Sequence, residues 1–147
     1  MIETISKLFQ RDLEKLKTEI TSYKKPSNLW KVSGDIKNSA GNLCLHVLGN
    51  LQHFIGAVLG NSGYKRKRDF EFSRKDVPLA EILNEIDQTI VIVEKTLKGL
   101  SENKLSEIYP INVFDYEMST GFFLLHLTTH LNYHLGQINY HRRLLDN

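Results

Sequence analysis

Apolar residues recur along the chain at the three- and four-residue spacing of helical faces. Ile2, Ile5, Phe9, Leu13, Leu16, Ile20 and Tyr23 form a first stripe, and Leu79, Leu83, Ile86, Ile90, Val93 and Leu97 form another. Asp76 and Pro78 precede the latter and Gly99 closes it, as expected for a helix start and stop. Between them, a segment from about Ser39 to Leu59 carries the stripe Leu43, Val47, Leu51, Phe54 and Val58, with Asn38 or Ser39 as cap and Gly60 as stop. A last segment starts near Ser119 and Thr120 and runs to about Leu145, roughly 38 Å at 1.5 Å per residue. The pattern predicts an all-α chain, a single four-helix bundle domain over residues 1–147.

The connections are long for so small a bundle, which points to loops that cover something. Pro26 to Lys37 reads as a short extended piece or a packed loop. Gly60 to Val77 is polar and basic, with Lys65-Arg66-Lys67-Arg68 ahead of Asp69-Phe70-Glu71-Phe72. Gly99 to Met118 carries Pro110 and several aromatics.

Length and charge narrow the classes of function. The 147 residues suit one ordinary domain, and a net charge of +2 is too balanced to indicate nucleic-acid or membrane-surface binding. The basic run at 65–68 is offset by Asp69, Glu71 and Asp76, and reads as solvated or as a contact for an acidic cofactor or a dimer partner. The start of the chain does not look like a targeting signal, and no segment reaches the ~18 consecutive apolar residues of a membrane span, so a cytoplasmic protein is expected. Cys44 is the only cysteine, which excludes an internal disulfide and a cysteine-based zinc cluster.

Histidine changes the picture most. Four of the six lie between His126 and His141. At roughly 100° per residue, His126, Gln137, His130, His141 and His134 fall within about 80° on one side of the last helix, with Phe123 and Leu127 beside them. Such a strip faces inward. On the second helix His46, Asn50 and His53 flank the apolar stripe, at about −60°, −20° and −80° from Leu43. Imidazoles spaced i, i+4 converge on one point, and a third from a facing helix gives three ligands with one position left open. A lone inward histidine is more often a hydrogen-bonded core residue, the reading given to His141 and, by default, to His53. Asn50 and Gln137 fit either packing amides or groups that orient ligands and contact a substrate or cofactor. Cys44 lies about 160° from His46 and faces away.

Three stretches carry a family resemblance. Asn42-Leu43-Cys44-Leu45-His46-Val47-Leu48-Gly49-Asn50-Leu51 resembles the helix-2 motif N-L-x-x-H-x-x-G-N-L of a branch of the DinB/YfiT-like superfamily. His130-Leu131-Asn132-Tyr133-His134-Leu135-Gly136-Gln137-Ile138 is similar to its H-x-x-x-H-x-G-Q-[IL] signature, and Arg66 to Phe72 to its R-x-R-x-x-E-F loop. The resemblance implies a four-helix bundle of up-and-down topology, and one divalent metal, zinc or nickel, on His46, His130 and His134. It also implies homodimers, with relatives that include thiol S-transferases using bacillithiol and a mycothiol-dependent isomerase. Leu135 stands where many members carry Arg, and His126 is an additional imidazole.

The expectation is a mononuclear metal-dependent enzyme that activates a thiol or water against a small-molecule substrate. His126, or His53 from the facing helix, is the candidate proton acceptor. The loops at 60–77 and 100–118 are expected to wall the pocket, with Tyr64, Phe70, Phe72, Tyr109 and Phe114 facing an apolar or electrophilic substrate or simply packing. The alternative is a non-catalytic, metal-stabilised, stress-related bundle that binds a ligand or partner, its coordination filled by His126 or a carboxylate.

Overall fold

A computed structural model describes residues 1–147. The chain is all-helical, with α1 at Ile2–Thr21, α2 at Ala40–Leu51, α3 at Arg68–Ser73, α4 at Leu79–Gly99 and α5 at Thr120–Leu145. The helix count is therefore five, because the basic connection expected to be a loop holds the short α3. Two 3₁₀ turns, Pro26–Trp30 and Glu102–Ser106, occupy the other long connections. The only β-type pairings are isolated bridges such as Ser33 with Ile36 and Ile108 with Ser119. No helix is long and apolar enough to cross a membrane.

The first stripe is buried as its spacing predicts, from Ile2 through Ile5, Phe9, Leu13, Leu16 and Ile20 to Tyr23. It lies against α4 and α5. On α4 the buried line is turned relative to the predicted one. Ile82, Ile86, Thr89, Val93 and Leu97 are buried, whereas Leu79, Leu83 and Ile90 are only half-buried. Thr89 is tolerated there because its hydroxyl donates to the Glu85 carbonyl at 2.8 Å, which satisfies the buried donor within its own helix.

The central helix is α2, buried over its whole length and surrounded by α3, α4 and α5. Ser39 caps it, its hydroxyl oxygen accepting from the Asn42 amide at 3.2 Å. A helix enclosed on all sides must place its polar side chains inside, where each needs a partner. Beyond Leu51 the backbone widens into a π turn over Gln52–Ala57, with the Val58 amide bonded to the His53 carbonyl at 3.0 Å. A wider turn advances each side chain by less than 100°, so side chains after Leu51 leave the direction that α-helical reckoning assigns them.

Asn42 and Gly49 attach α3 to this central helix. The Asn42 side-chain amide donates to the carbonyls of Glu71 at 3.0 Å and Arg74 at 2.8 Å, while its oxygen accepts from Ser39 and Lys75. A methyl group at Gly49 would overlap the Glu71 carboxylate, so this glycine is what allows α3 to press against α2.

Candidate metal centre

The last helix is regular over 26 residues, so His130 and His134 stand one turn apart on one side of it. His46 reaches the same point from α2. Its Nε2 lies 3.3 Å from His130 Nε2, and His134 Nε2 lies 3.2 Å from His130 Nε2. All three ligand atoms fall within 4.8 Å of one another, so the group could hold a metal ion. Nitrogens bound tetrahedrally to zinc at about 2.0–2.1 Å stand about 3.3–3.4 Å apart, close to the two shorter separations.

The outer nitrogens decide what the inner ones present. His46 Nδ1 is 3.0 Å from Glu71 Oε1. Burial works against the Glu71 charge, but hydrogen bonds from His46 and Arg66 outweigh it and hold the carboxyl below its usual value. An ionised carboxylate only accepts, so His46 carries its proton on Nδ1 and turns a lone pair inward. His134 Nδ1 likewise donates to Gln137 Oε1 at 2.7 Å, leaving its Nε2 as a second lone pair. Both lone pairs face His130 Nε2, which has at most one proton to give. One pair of nitrogens is thus left lone pair against lone pair, and His130 Nδ1 has no hydrogen-bond partner either.

Protonation does not relieve this arrangement. Burial, followed by repulsion from His134 and His46, pulls the His130 imidazole down to about 4. Burial also lowers His134, against the Gln137 hydrogen bond that raises it. His130 and His134 therefore stay neutral near pH 7, the form that binds metals. A divalent cation gives all three inner lone pairs a partner at once, so the residues fit such an ion.

Glu71 and Arg66 are the site residues that sequence reasoning missed. Arg66 Nε donates to Glu71 Oε2 at 2.9 Å and Nη2 donates to Oε1 at 2.8 Å, in a fork geometry. The basic run is thus not a uniformly solvated loop. Arg66 turns inward with its side chain only 12% exposed, while Arg68 and Lys67 lie over the rings of Phe72 and Phe70. The signal was present in the spacing Arg66-x-x-x-x-Glu71 and in Gly49, whose purpose shows only once α3 is placed.

The remaining expected residues divide. Gln137 orients His134, as above. His126 stands beside the group but outside it, its ring centroid 6.4 Å from that of His130, 5.0 Å from Phe114 and 5.8 Å from Phe123. His53, on the π turn, packs on Phe54 at 4.8 Å and makes no ring contact with the three histidines. Asn50 is buried one turn after His46, and its Oδ1 has no hydrogen-bond partner. His141 is held at both nitrogens, by Tyr23 Oη at 2.7 Å and the Lys31 carbonyl at 2.8 Å. Cys44 is fully buried, and burial pushes its thiol up, out of reach of neutral-pH chemistry.

The expected pocket walls also need correction. The cavity that reaches His134, about 580 Å³, is walled by residues 35–38, Leu43 and the α5 side chains Tyr133, Gln137 and Tyr140. Phe72 does approach the site, 4.9 Å from the His46 ring. Tyr64 and Phe70 line a separate cavity of about 410 Å³ on the far side of Glu71. Tyr109 is core, its hydroxyl donating to the Phe54 carbonyl at 2.7 Å.

A comparison with curated proteins finds no match. Among protein families, the DinB family model matches residues 6–145, nearly the whole chain and all three histidines with it, and the chain belongs to the DinB family.

Proposed function

We propose that this DinB-family chain is a single-domain, up-and-down four-helix bundle acting as a mononuclear metal-dependent enzyme of thiol S-transferase or hydrolase type. His46, His130 and His134 would hold one divalent ion, zinc or nickel. The observation that carries this reading is the pair of fixed inward lone pairs on His46 and His134, set by Glu71 and Gln137 around a third imidazole that stays neutral. When bound, such an ion supplies Lewis acidity, lowering the pKa of a water or low-molecular-weight thiol at its free position.

The chain's own residues supply orientation and room. Glu71, held in turn by Arg66, fixes the His46 ring, and Gln137 fixes His134. His126 is the better-supported proton acceptor, because its ring stands beside that of His130, whereas His53 packs on Phe54 without a ring contact to the three histidines. Asn50 is assigned to orienting a ligand or substrate, on the strength of its unpartnered buried oxygen. The cavity beside His134 has room for a small-molecule substrate. A cytoplasmic setting fits thiol chemistry in which the sulfur arrives with the cofactor rather than from Cys44.

Cobalt substitution with a panel of thiols and electrophiles tests the function. The expected result is a perturbed cobalt spectrum with at least one thiol, or water-dependent turnover, lost in His130→Ala. Bound cobalt that no thiol perturbs, with no turnover of any electrophile or labile ester, would contradict the enzyme reading and leave a metal-stabilised binding protein.

A further inference from the structure

The cavity of about 410 Å³ among α2, α3 and α4 lies on the far side of Glu71 from the three imidazoles, none of which lines it. Its volume is that of a small-molecule site. The floor is formed by Leu45 and Leu48 of α2, both buried, and by Thr89 of α4. The Thr89 hydroxyl is already engaged, donating to the Glu85 carbonyl at 2.8 Å and accepting from the Gln52 amide at 3.3 Å. Tyr64 and Phe70, 37% and 54% exposed, form the rim.

The charges in the wall are of two kinds. Glu71 is held by Arg66 and His46, and Glu85 by Arg74 at 3.2 Å, so neither carboxylate is free to attract a cation. Lys65 and Lys67 have no carboxylate partner, and Lys67 Nζ stands 5.5 Å from the centroid of the Phe70 ring. The basic run thus divides by position: Arg66 turns to Glu71, while its neighbours on either side line the cavity. The Tyr64 hydroxyl and the Gln88 amide also lack partners within the chain. Burial, with Glu71 and Glu85 nearby, raises the Tyr64 phenol, so it remains a donor near neutral pH. The unengaged groups around this cavity are mostly donors, two of them charged, beside an apolar floor.

We propose that this cavity binds a small organic anion, a carboxylate or phosphate ester on a flat apolar body, at a site separate from the metal centre. The body lies over Leu45 and Leu48 between the Tyr64 and Phe70 rings, and the anionic head takes Lys65, Lys67 and the Tyr64 hydroxyl. A cationic ligand finds both wall carboxylates occupied, and a neutral one gains nothing from the two ammonium groups. The ligand is not a thiol bound at the metal, because Glu71 stands between this cavity and His46. The inference therefore goes beyond the metal-site reading and does not depend on it.

Amide NMR of the full chain, with and without zinc, titrated with 1-naphthoate, 1-naphthyl phosphate and the neutral 1-naphthamide, tests the site. The expected result is binding of one or both anions in both forms, with shifts centred on Gly49, Tyr64, Phe70 and Gln88, and naphthamide weaker by about 10-fold or more. Lys65→Gln/Lys67→Gln is expected to weaken the anion by about 10-fold. Gln88→Trp, on the exposed side of α4, is expected to fill the cavity and abolish binding, with unchanged far-UV dichroism. Lys37→Gln, in the wall of the cavity beside His134, is expected to change nothing. Failure of both anions to bind, naphthamide binding as tightly as they do, or a lysine variant that binds like wild type would overturn the proposal. Binding seen only with zinc, or weakened as much by Lys37→Gln, would place the anion at the metal centre and overturn it as well. Absence of zinc binding with the anion still seated here would overturn the metal reading and leave this site standing.

Discussion

Two histidine clusters share helix α5 and differ in whether they close on themselves. Around His141, every strong hydrogen-bonding atom has a partner within the chain, one ring nitrogen meeting the Tyr23 hydroxyl and the other the Lys31 carbonyl. Around His130, the partners on the outside force lone pairs to meet on the inside, and one ring nitrogen has no partner. The same residue type on one helix therefore does two things. The closed cluster ties the end of α5 to the connection after α1, and the open one is built for something that is not protein. The count of donors against acceptors separates them.

The largest difference should appear on deleting one ring from each cluster in metal-free protein. His141→Ala removes the short hydrogen bonds of the Tyr23 hydroxyl and the Lys31 carbonyl, leaving the buried hydroxyl only a 3.5 Å contact with the Ile138 carbonyl, and is expected to cost about 2–4 kcal/mol. His130→Ala removes a crowded imidazole and is expected to stay within about 1 kcal/mol of wild type. Denaturant unfolding in chelator measures both, and equal losses would erase the distinction.

Gly49→Ala is expected to cost about 1–3 kcal/mol, because the new methyl collides with the Glu71 carboxylate and must push α3 off α2. Thermal unfolding reads this, and metal affinity should fall with it. Glu71→Gln keeps the shape but removes the charge that fixes the His46 tautomer. It is expected to weaken metal affinity by about 10–100-fold, measured by competition with a chromophoric chelator. Glu19→Gln, where α1 meets the His141 end of α5, should leave that affinity unchanged.

A further contrast lies in the response to pH. His130 titrates near 4 in the folded chain against 6.5 for an ordinary imidazole, so the unfolded chain takes up its proton first as pH falls. The stability this neutral ring lends is complete above about pH 6.5 and is lost progressively down to about pH 4. His130→Ala should flatten that part of the profile for the metal-free protein.

Much of this was legible in sequence because α1 and α5 are regular helices. Six side chains from Ile2 to Ile20 followed one face, and His130 with His134 followed another, so constant angular steps placed them correctly. Where the backbone departs from that step, the reckoning departs with it. His53 sits on the π turn over Gln52–Ala57, where the angle per residue is no longer the one that reckoning assumes. On α4, Thr89 took a buried place usually given to apolar residues because its hydroxyl bonds its own helix. Glu71 and Arg66 were unreadable as a pair of site residues, since their meeting with His46 depends on a short helix pinned by Asn42 from 29 positions away.

The central claim is that the open cluster binds a divalent ion through three imidazoles. It is tested most directly by the metal content and zinc affinity of untagged wild-type protein beside His46→Ala, His130→Ala and His134→Ala, with His141→Ala as the control from the closed cluster. The account predicts one divalent ion per chain in wild type and in His141→Ala, and little or none in the other three. No stoichiometric ion in wild type, or equal content across the triad variants, would contradict it.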